Sequence, residues 1–349
     1  MPLAATVAID GGTGIAQHPA AAAKTAKESI NHLMTIKIMP IKIGTRGSPL
    51  ALVQAHDLRD KLMQAHKLPE SAFEICVIKT SGDKIQDRPL SEVGGKGLFT
   101  KEIEDALLSG AIDLAVHSMK DVATVLPDGL VIPCILQRED VHDAFISRKV
   151  KRLADLPEGA VVGSSSLRRQ AQIKKMRPDL KVIMYRGNVQ TRLRKLDEGV
   201  ADATLLACAG LRRLAMSDVI TQVIPLEDML PAVAQGAVGA EIRGDNQAIR
   251  DLLQPLHHAE TAICVTAERA FLAKLDGSCR TPIAGLATIE DGQMQFRGQI
   301  LLPDGSQSFS TERRCPAQQA IIMAENAAAE LIAKAGPQFM QALTQSQAL

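Results

Sequence analysis

The chain has 349 residues, more than a single hydrophobic core usually serves, so two or three domains are expected. Hydrophobic residues make up 46% of the sequence and aromatic residues only 2%, so aliphatic side chains must build the interior. A formal net charge of +1 provides no general attraction to nucleic acid or to an anionic membrane, and no apolar run reaches the roughly 18 residues that a membrane span requires.

The first 35 residues are rich in alanine and glycine and show no regular pattern. They lack the charged start and the continuous apolar stretch of a secretory signal, and they contain no arginine, which disfavours a transit peptide. We predict that residues 1–35 form a disordered extension, with a translation start at Met34 or Met39 as the alternative, and that the protein is cytoplasmic.

Strand and helix patterns alternate from Ile36 to about Ala240, which predicts parallel-rich α/β layers. The segment IKIMPIKIGT predicts a first strand, and Ser48 with Pro49 predicts the start of a helix that runs to His66. The patterns that follow predict a strand (FEICVIKT), a long Gly/Asp-rich loop (81–97), a helix (97–109) and a buried strand (IDLAVHS).

A second unit, between about Gln137 and Gln235, repeats this order. VVGSSSLRRQAQIKK predicts a strand, a serine-rich turn and a helix, and it is followed by a strand (KVIMYRG), a helix (NVQTRLRKLDEG) and a strand (ATLLACAG). The pattern changes after about Gln254, where a helix over 258–275 precedes three strand-like stretches, split at Asp291-Gly292 and Asp304-Gly305, and a closing helix.

These patterns predict an α/β fold of two doubly wound lobes followed by a small α+β C-terminal domain. We assign residues 36–136 and 237–254 to domain 1, residues 137–236 to domain 2 and residues 255–349 to domain 3. Boundaries of this kind are the least certain feature of a sequence pattern, since only the elements themselves carry a periodic signal.

Six arginines stand at predicted strand ends or at the starts and on the faces of the helices that follow: Arg46, Arg168, Arg169, Arg186, Arg192 and Arg213. Ligands of open α/β sheets bind beyond the carboxyl ends of the strands, so we expect several of these side chains to meet in one crevice. Guanidinium groups bind carboxylates in pairs of hydrogen bonds, and the turn of Ser164, Ser165 and Ser166 adds further donors. The ligand therefore carries several carboxylates or phosphates.

Any one of these arginines, taken alone, is better explained as a surface residue or a structural ion pair. The grouping reverses that judgement for the set. Neighbours on a helix point about 100° apart, so Arg168 and Arg169 are not expected to face the same ligand. Of the two, Arg169 is the one that better suits a structural role.

The sequence His117-Ser118-Met119-Lys120-Asp121 directly follows an apolar strand. A carboxylate at the carboxyl end of a strand is placed to stabilise a developing cation and to relay protons, which makes Asp121 a candidate catalytic residue. On the residues alone two alternatives stay open, since Asp121 also suits the cap of a turn and Lys120 suits an ion pair.

The loop VGGKGLF lacks the GxxxxGK[ST] spacing of a nucleotide-binding loop. We interpret it as a mobile cover, with Lys96 and Phe99 facing the crevice. Its glycines supply the freedom that such a cover needs.

None of the six cysteines belongs to a CxxC pair or has metal-ligand spacing, so neither a disulfide framework nor a metal site is expected. Four lie in apolar segments and predict reduced, buried thiols: Cys76, Cys134, Cys208 and Cys264. Cys279 differs, because it lies in a turn beside Arg280, which favours an ionised and nucleophilic thiol. Taken alone, its function is undecidable.

Nine segments resemble, in order along the chain, the porphobilinogen deaminase family: TRGSPLAL, VGGKGLFTKE, DLAVHSMKDV, EDVHDAF, VGSSSLRRQ, RGNVQTRL, LLACAGLRRL, AVAQGAVG and GSCRTPIAG. The resemblance implies two lobes similar to those of periplasmic binding proteins and a third domain that carries a cofactor cysteine. It also implies a transferase of haem and tetrapyrrole biosynthesis, hydroxymethylbilane synthase, which condenses four porphobilinogen molecules with loss of ammonia on a dipyrromethane primer and releases the product with water.

The same resemblance assigns roles to residues. Cys279 holds the dipyrromethane cofactor through a thioether, and Asp121, with Lys120 beside it, serves the pyrrole nitrogens and the cationic intermediate. The six arginines bind acetate and propionate groups of cofactor and substrate. Secondary contacts fall to Ser48, Lys96, Phe99, Ser118, Ser164, Ser165, Ser166 and Gln235.

The chain departs from the family pattern at a few positions. Ser278 stands where a second glycine often precedes the cysteine, Arg280 stands where uncharged residues are common, and Ala123 replaces a frequent proline after the Lys-Asp pair. The 35-residue extension is not covered by the resemblance.

Two functions other than that of the family would also suit parts of the sequence. A non-catalytic, two-lobed anion-binding protein, such as a solute sensor, needs neither Asp121 nor Cys279. A nucleic-acid module ranks third, because its binding surface generally combines a basic groove with aromatic side chains. We expect a small-molecule substrate, a monomer, and no nucleic-acid or membrane partner.

Overall fold

The computed structural model describes residues 40–84, 100–277 and 281–345. The predicted extension over 1–35, the cover residues Lys96 and Phe99, and Cys279 lie outside the described residues. Pro40–Leu349 forms one compact unit.

The elements are numbered in chain order. The strands are β1 Ile41–Arg46, β2 Phe73–Ile78, β3 Leu114–Ser118, β4 Leu130–Ile135, β5 Asp143–Ser147, β6 Val161–Gly163, β7 Lys181–Ile183, β8 Ala203–Ala207, β9 Gln222–Val223, β10 Val238–Arg243, β11 Ile283–Glu290, β12 Gln293–Leu301 and β13 Ser308–Pro316. The α-helices are α1 Pro49–His66, α2 Ser81–Lys84, α3 Lys101–Leu108, α4 Leu167–Met176, α5 Val189–Asp197, α6 Cys208–Arg213, α7 Gln247–Leu253, α8 Ala259–Lys274 and α9 Ala320–Gln345. A break at Gly336, where φ is 76°, divides α9 just before Pro337.

Two five-stranded sheets form the cores of two lobes. The sheet of lobe 1 has the order β2-β1-β3-β10-β4, and that of lobe 2 has the order β7-β6-β8-β5-β9. In each sheet four strands run in the same direction, and one strand, β10 in lobe 1 and β5 in lobe 2, runs antiparallel to both of its neighbours. Both enter their sheet directly after the chain crosses from one lobe to the other, so they arrive from the opposite direction.

The helices of the lobes begin where side chains satisfy the first free backbone N–H groups. The Ser48 Oγ accepts from the Ala51 N–H at 3.3 Å, which confirms the predicted start of α1. The Asn188 Oδ1 accepts from the Thr191 N–H at 2.8 Å at the start of α5. Because each cap follows a strand, the caps direct these helices away from the carboxyl edge of the sheet.

Two predicted strands are shorter in the structure than in the sequence pattern. The strand predicted as KVIMYRG ends at Ile183, opposite Gly163 of β6, and the strand predicted as ATLLACAG ends at Ala207, opposite Asp143 of β5. Each strand stops where its partner has no further residues to pair, and α6 then begins at Cys208. The predicted loop over 81–97 opens with the single turn of α2, and its part from 85 onward lies outside the described residues.

Domain 3 consists of the antiparallel sheet β11-β12-β13 packed against α8 and α9. Its core contains Phe271 and Phe296, whose rings meet edge to face with centroids 5.0 Å apart. Gly292 and Gly305 have positive φ at the two predicted turns, which are confirmed. The fold class is therefore confirmed, while the domain boundaries in sequence stay a prediction with which the three sheets are consistent.

Within the described ranges, none of the helices combines the length and the hydropathy that a bilayer span needs.

Candidate active site

The predicted site residues gather at the carboxyl edges of both sheets. In lobe 1, Arg46 ends β1, and β3 leads through Ser118 into a 3-10 turn over Met119–Asp121. In lobe 2, the three serines lie between β6 and α4, and Arg186 follows β7. Parallel strands end at a common edge, so each lobe presents its own group of polar side chains there.

Charge interactions link the two groups across the lobes. Burial lowers the pKa of Lys120 to about 8, and the adjacent charge of Asp121 opposes that shift. The charges of Arg169, Asp143 and Arg168, all in lobe 2, also act on this amine. Because Lys120 belongs to lobe 1, the structure brings the predicted catalytic turn towards the arginines of the other lobe.

Arg192 extends this charged cluster. Burial lowers its pKa to about 10, and repulsion from Arg169 and Arg186 acts in the same direction, while the Asp121 charge raises it. Its Nε donates to the Gly187 carbonyl at 2.9 Å. The guanidinium therefore stays charged at neutral pH within a strongly cationic environment.

Both arginines at the start of α4 are held by a buried carboxylate that the sequence analysis missed. Asp143, 1% exposed, accepts from the Arg168 Nη1 at 2.7 Å and from the Arg169 Nη2 and Nε at 2.6 and 3.1 Å. Burial alone would raise the pKa of Asp143, but the two guanidinium charges hold it well below its usual range. A usable signal was present, since Asp143 is the one charged residue at the head of the apolar run DAFIS.

The structural role foreseen for Arg169 thus applies to both members of the pair. Both arginines also donate to the backbone, the Arg168 Nη1 to the Leu230 carbonyl at 2.7 Å and the Arg169 Nη1 to the Leu205 carbonyl at 2.9 Å. The buried Arg168 Nε has no hydrogen-bond partner among the described residues. Their positive charge still contributes to the cluster around Lys120.

The hydroxyl oxygens of Ser164, Ser165 and Ser166 accept hydrogen bonds that stabilise the turn. The Ser164 Oγ accepts from the Ser166 N–H at 3.3 Å, the Ser165 Oγ from the Tyr185 N–H at 2.9 Å, and the Ser166 Oγ from the Arg169 N–H at 3.4 Å. A hydroxyl that accepts in this way can still donate its own hydrogen to a ligand. Ser118 differs, because its Oγ exchanges hydrogen bonds with the Gln54 side chain at 2.9 and 3.2 Å.

Gln235 lies in the hinge, which we define as the two crossing segments 136–142 and 224–237, and Arg213, at the end of α6, contacts it. The Arg213 Nη2 donates to the Gly236 carbonyl at 2.9 Å, and burial lowers its pKa while the charges of Glu139 and Asp57 oppose the shift. The Gln235 Nε2 donates to the Val141 carbonyl at 2.7 Å and to the Asp143 Oδ1 at 3.0 Å. In the described structure Arg213 therefore connects α6 to the hinge, and Gln235 connects the hinge to the buried Asp143.

The described thiols are poor nucleophiles. Burial raises the pKa of Cys134, Cys208 and Cys264 to about 12, so three of the four predicted buried thiols are confirmed. Cys76 is only half-buried, because β2 is the edge strand of its sheet. Cys279 lies outside the described residues, between the buried Gly277 and Thr281.

The residues present fit a cofactor that carries several carboxylates. Five cationic side chains lie within reach of one another's charges, together with the carboxylates of Asp121 and Asp143: these cations are Lys120, Arg168, Arg169, Arg186 and Arg192. Repulsion among partly buried positive charges is unfavourable, and an anionic partner relieves it. Carboxylates of a dipyrromethane would supply that partner, and guanidinium groups have the geometry to bind them.

Comparisons with known proteins agree with the motif resemblance. Residues 41–251 match the family model "Porphobilinogen deaminase, dipyromethane cofactor binding domain", and residues 262–333 match "Porphobilinogen deaminase, C-terminal domain". The porphobilinogen deaminase of Paracoccus denitrificans (strain Pd 1222) is 57% identical over 300 residues, which cover 86% of this chain and 96% of that protein. The chloroplastic porphobilinogen deaminase of Oryza sativa subsp. japonica is 56% identical over 312 residues, which cover 88% of this chain and 87% of that protein.

Solved structures of similar architecture include periplasmic proteins. A periplasmic substrate-binding protein of an ABC transporter from Coxiella burnetii aligns with a TM-score of 0.40 and 14% identity, covering 64% of this chain and 94% of that one. The periplasmic aliphatic sulphonate binding protein from Escherichia coli aligns with a TM-score of 0.38 and 15% identity, covering 69% and 71%. At such TM-scores the likeness carries no inference about ligand or reaction. The two family models and the two relatives instead identify the chain, which belongs to the porphobilinogen deaminase family.

Proposed function

We propose that this chain assembles hydroxymethylbilane by condensing four porphobilinogen molecules on a covalently bound dipyrromethane cofactor. The observation that carries the proposal for the site is that Lys120 of lobe 1 and Arg192 of lobe 2 both interact with the charge of Asp121. We further propose that the protein acts as a cytoplasmic monomer with three domains, divided at residues 136/137, 236/237 and 254/255, and without a nucleic-acid or membrane partner.

The cations have a binding role in this proposal. Lys120, Arg168, Arg169, Arg186 and Arg192 neutralise the carboxylates of cofactor and substrate, and the hydroxyls of the serine turn donate to the same groups. Arg46, Ser48, Ser118, Arg213 and Gln235 support the cleft from the strand ends and the hinge. Lys96 and Phe99 cover it, and Cys279 anchors the cofactor. Charge neutralisation in a partly buried site is stronger than in water, so a growing polycarboxylate stays bound.

Asp121 has the catalytic role. When bound, the dipyrromethane supplies the electron-rich pyrrole carbon that attacks the activated substrate. The Asp121 carboxylate stabilises the cation that forms when ammonia leaves porphobilinogen, and it accepts a proton from the reacting pyrrole. Lys120, next to it, remains largely protonated below pH 8 and can pair with a substrate carboxylate.

The decisive test is an intact mass spectrum of the purified protein with and without porphobilinogen. We expect a mass two pyrrole units above the sequence, stepwise pyrrole additions with substrate, and a coloured product with Ehrlich's reagent in acid. Cys279→Ser is expected to lose the covalent mass. A plain anion-binding protein would show the sequence mass and no colour, and this result would refute the proposal.

The matching kinetic test is Asp121→Ala, which we expect to lower turnover by about 10²-fold or more without unfolding the protein. Asp128→Ala is the control, because Asp128 is an exposed carboxylate in the same connection and its loss should leave turnover unchanged. Near-normal bilane synthesis by Asp121→Ala would remove this residue from the mechanism.

A further inference from the structure

We propose that Arg269 is a positioning residue that fixes the turn bearing Asp121 from outside its own lobe. We define the acid turn as residues 119–123. The proposal rests on the catalytic role of Asp121 given above, and it adds a residue that no sequence motif singled out.

The Arg269 side chain donates hydrogen bonds to two backbone carbonyls of the acid turn. It lies on α8 of domain 3, and its Nη1 donates to the Val122 carbonyl at 3.0 Å while its Nη2 donates to the Ala123 carbonyl at 2.5 Å. These carbonyls belong to the two residues that follow Asp121, and the turn itself belongs to lobe 1. One side chain of domain 3 therefore holds the backbone next to the acid across a domain boundary.

Backbone hydrogen bonds hold the other end of the acid turn. The Met119 N–H donates to the Ala237 carbonyl at 3.0 Å, and the Val122 N–H donates back to the Met119 carbonyl at 3.3 Å. Beyond Ala123 the chain has no regular structure until β4, and Val125 is 70% exposed. The forked contact from Arg269 is thus the polar restraint at the downstream end of the turn.

Apolar packing brings the same helix against the turn. Met119 and Val122 share a buried cluster with Val265, which lies one helical turn before Arg269 on α8. That helix ends at Lys274, five residues before Cys279 in the sequence. Since one helix makes both the apolar and the forked polar contact, it fixes the acid turn against domain 3.

The chemistry of the contact requires an arginine. Burial lowers the pKa of Arg269 to about 10, opposed by the charge of Glu241, so the guanidinium is still charged at neutral pH. Placing a charge in a buried position is unfavourable unless it is well bound. A planar guanidinium donates to two neighbouring carbonyls at once, whereas a lysine ammonium acts as a compact point charge on a flexible stem.

The experiment compares variants of the cofactor-loaded enzyme, with rates normalised to the loaded fraction measured by intact mass. Arg269→Met is expected to lower kcat about tenfold to a hundredfold, as misplacement of a reacting group does, while KM changes by less than about threefold. Arg269→Lys, which keeps the charge without the fork, should retain only part of the rate. It also carries the test if the Met variant does not fold.

The matched control is Arg297→Met. The Arg297 Nη2 donates from domain 3 to the Leu226 carbonyl at 3.1 Å, so it makes the same kind of contact away from the acid. We expect its kcat to equal that of the unmodified enzyme. If the role of Arg269 were purely structural, Arg269→Met and Arg297→Met would both lower thermal stability, and both would leave kcat unchanged.

A second substitution tests the positioning role directly. Val122 has φ of −86° and ψ of 132°, the conformation that a residue before proline adopts. Ala123→Pro stiffens the end of the acid turn without Arg269. If the single Pro variant keeps its kcat, adding it to Arg269→Lys should raise kcat severalfold, and no gain would overturn the proposal.

The two proposals can fail separately. If Asp121→Ala keeps its turnover, the mechanism falls whatever Arg269 does. If Asp121 is essential and both Arg269 variants keep the normalised kcat of the unmodified enzyme, only the positioning role is wrong.

Discussion

At the scale of single residues, Asp143 is the centre of charge balance in the site. It faces two guanidinium groups and the Gln235 amide, all with almost no solvent access. Transfer of these charges out of water is costly, and their mutual attraction offsets the cost only while all of them are present. The ion pairs of Asp143 with Arg168 and Arg169 therefore fix the first turn of α4 against β5. Their net contribution to stability is small compared with that of apolar packing.

Asp143→Asn should lower the free energy of unfolding by about 3–5 kcal/mol, because it leaves two buried guanidinium groups without a counter-charge. Urea unfolding followed by circular dichroism measures this change. Asp155→Asn is the control, since Asp155 pairs with Arg152 at the surface and its loss should leave stability nearly unchanged. Equal effects of the two substitutions would contradict the buried-charge argument.

The same carboxylate gives the stability a defined pH dependence. Its pKa is lower in the folded chain than in the unfolded chain, so its contribution is fully present above the pKa of an unfolded aspartate. The contribution is lost as the pH falls from that value towards the folded pKa. Below about pH 4, unfolding free energy should thus fall more steeply for the unmodified protein than for Asp143→Asn.

Residue types at strand ends were predictable, but their partners were not. The sequence places Arg168 and Arg169 at the start of a helix because the serine turn signals its cap. Their carboxylate lies 25 and 26 residues earlier, on a strand that runs antiparallel to the rest of the predicted sheet. No periodic pattern connects positions that only the sheet order brings together.

At the scale of elements, the hinge is a close contact of two backbone segments. The Glu139 N–H donates to the Gly236 carbonyl at 3.2 Å, and the Gln235 side chain binds the Val141 carbonyl. Gly236 has φ of 86°, and a Cβ there would lie 2.4 Å from the Glu139 oxygen. Both the positive φ and the close approach therefore require glycine.

Gly236→Ala should lower the free energy of unfolding by about 2 kcal/mol or more, from backbone strain together with the clash at the hinge. Thermal and urea unfolding measure the loss. Gly199→Ala isolates the backbone component, because Gly199 has φ of 75° and nothing within 4 Å of its added Cβ, so it should cost about 1 kcal/mol. If both variants lose the same stability, the two crossing segments do not depend on close contact.

Elements with local signals were predicted well. Ser48 with Pro49 marks a helix start and Asp291-Gly292 marks a turn, and both are confirmed because the responsible contacts lie within a few residues. No strand was predicted at the positions of β4, β5, β9 and β10. β4 is an edge strand and so tolerates Pro133, but a proline argues against a strand when only the sequence is known. β9 has only two residues, too few to show a periodic pattern.

At the scale of the whole molecule, the change of pattern after Gln254 was enough to predict a third domain of different architecture. The relation between the lobes was beyond the sequence, because it depends on interactions between distant residues, such as the charge interactions of Lys120 with Arg168 and Arg169 of lobe 2. The same holds for Arg269, whose partners are backbone carbonyls 146 and 147 residues away. Backbone acceptors have no residue type, so sequence patterns do not reveal them.

Glu268 joins both crossing segments of the hinge to domain 3. It is 0% exposed, and its carboxylate accepts from Arg138 at 2.6 and 3.0 Å, from the Ala234 N–H at 2.6 Å and from the Ala287 N–H at 2.8 Å. Arg138 lies in the first crossing segment, Ala234 in the second, and Ala287 on β11 of domain 3. Its helical spacing from Cys264 and Phe271 placed it on the buried face of α8, a signal that the analysis did not use.

Glu268→Gln should lower the free energy of unfolding by about 3–5 kcal/mol, because Arg138 loses its buried counter-charge and one amide cannot accept all four hydrogen bonds. Hydrogen–deuterium exchange should locate the loss in peptides from β11 and the hinge, with the centre of each lobe sheet protected as before. Glu330→Gln on α9 is the control, since Glu330 pairs with Arg313 and Lys334 in partly exposed contacts and its loss should leave exchange unchanged. Faster exchange spread evenly over both lobe sheets would instead mean that the three parts unfold as one, and that Glu268 does not hold domain 3 to the hinge.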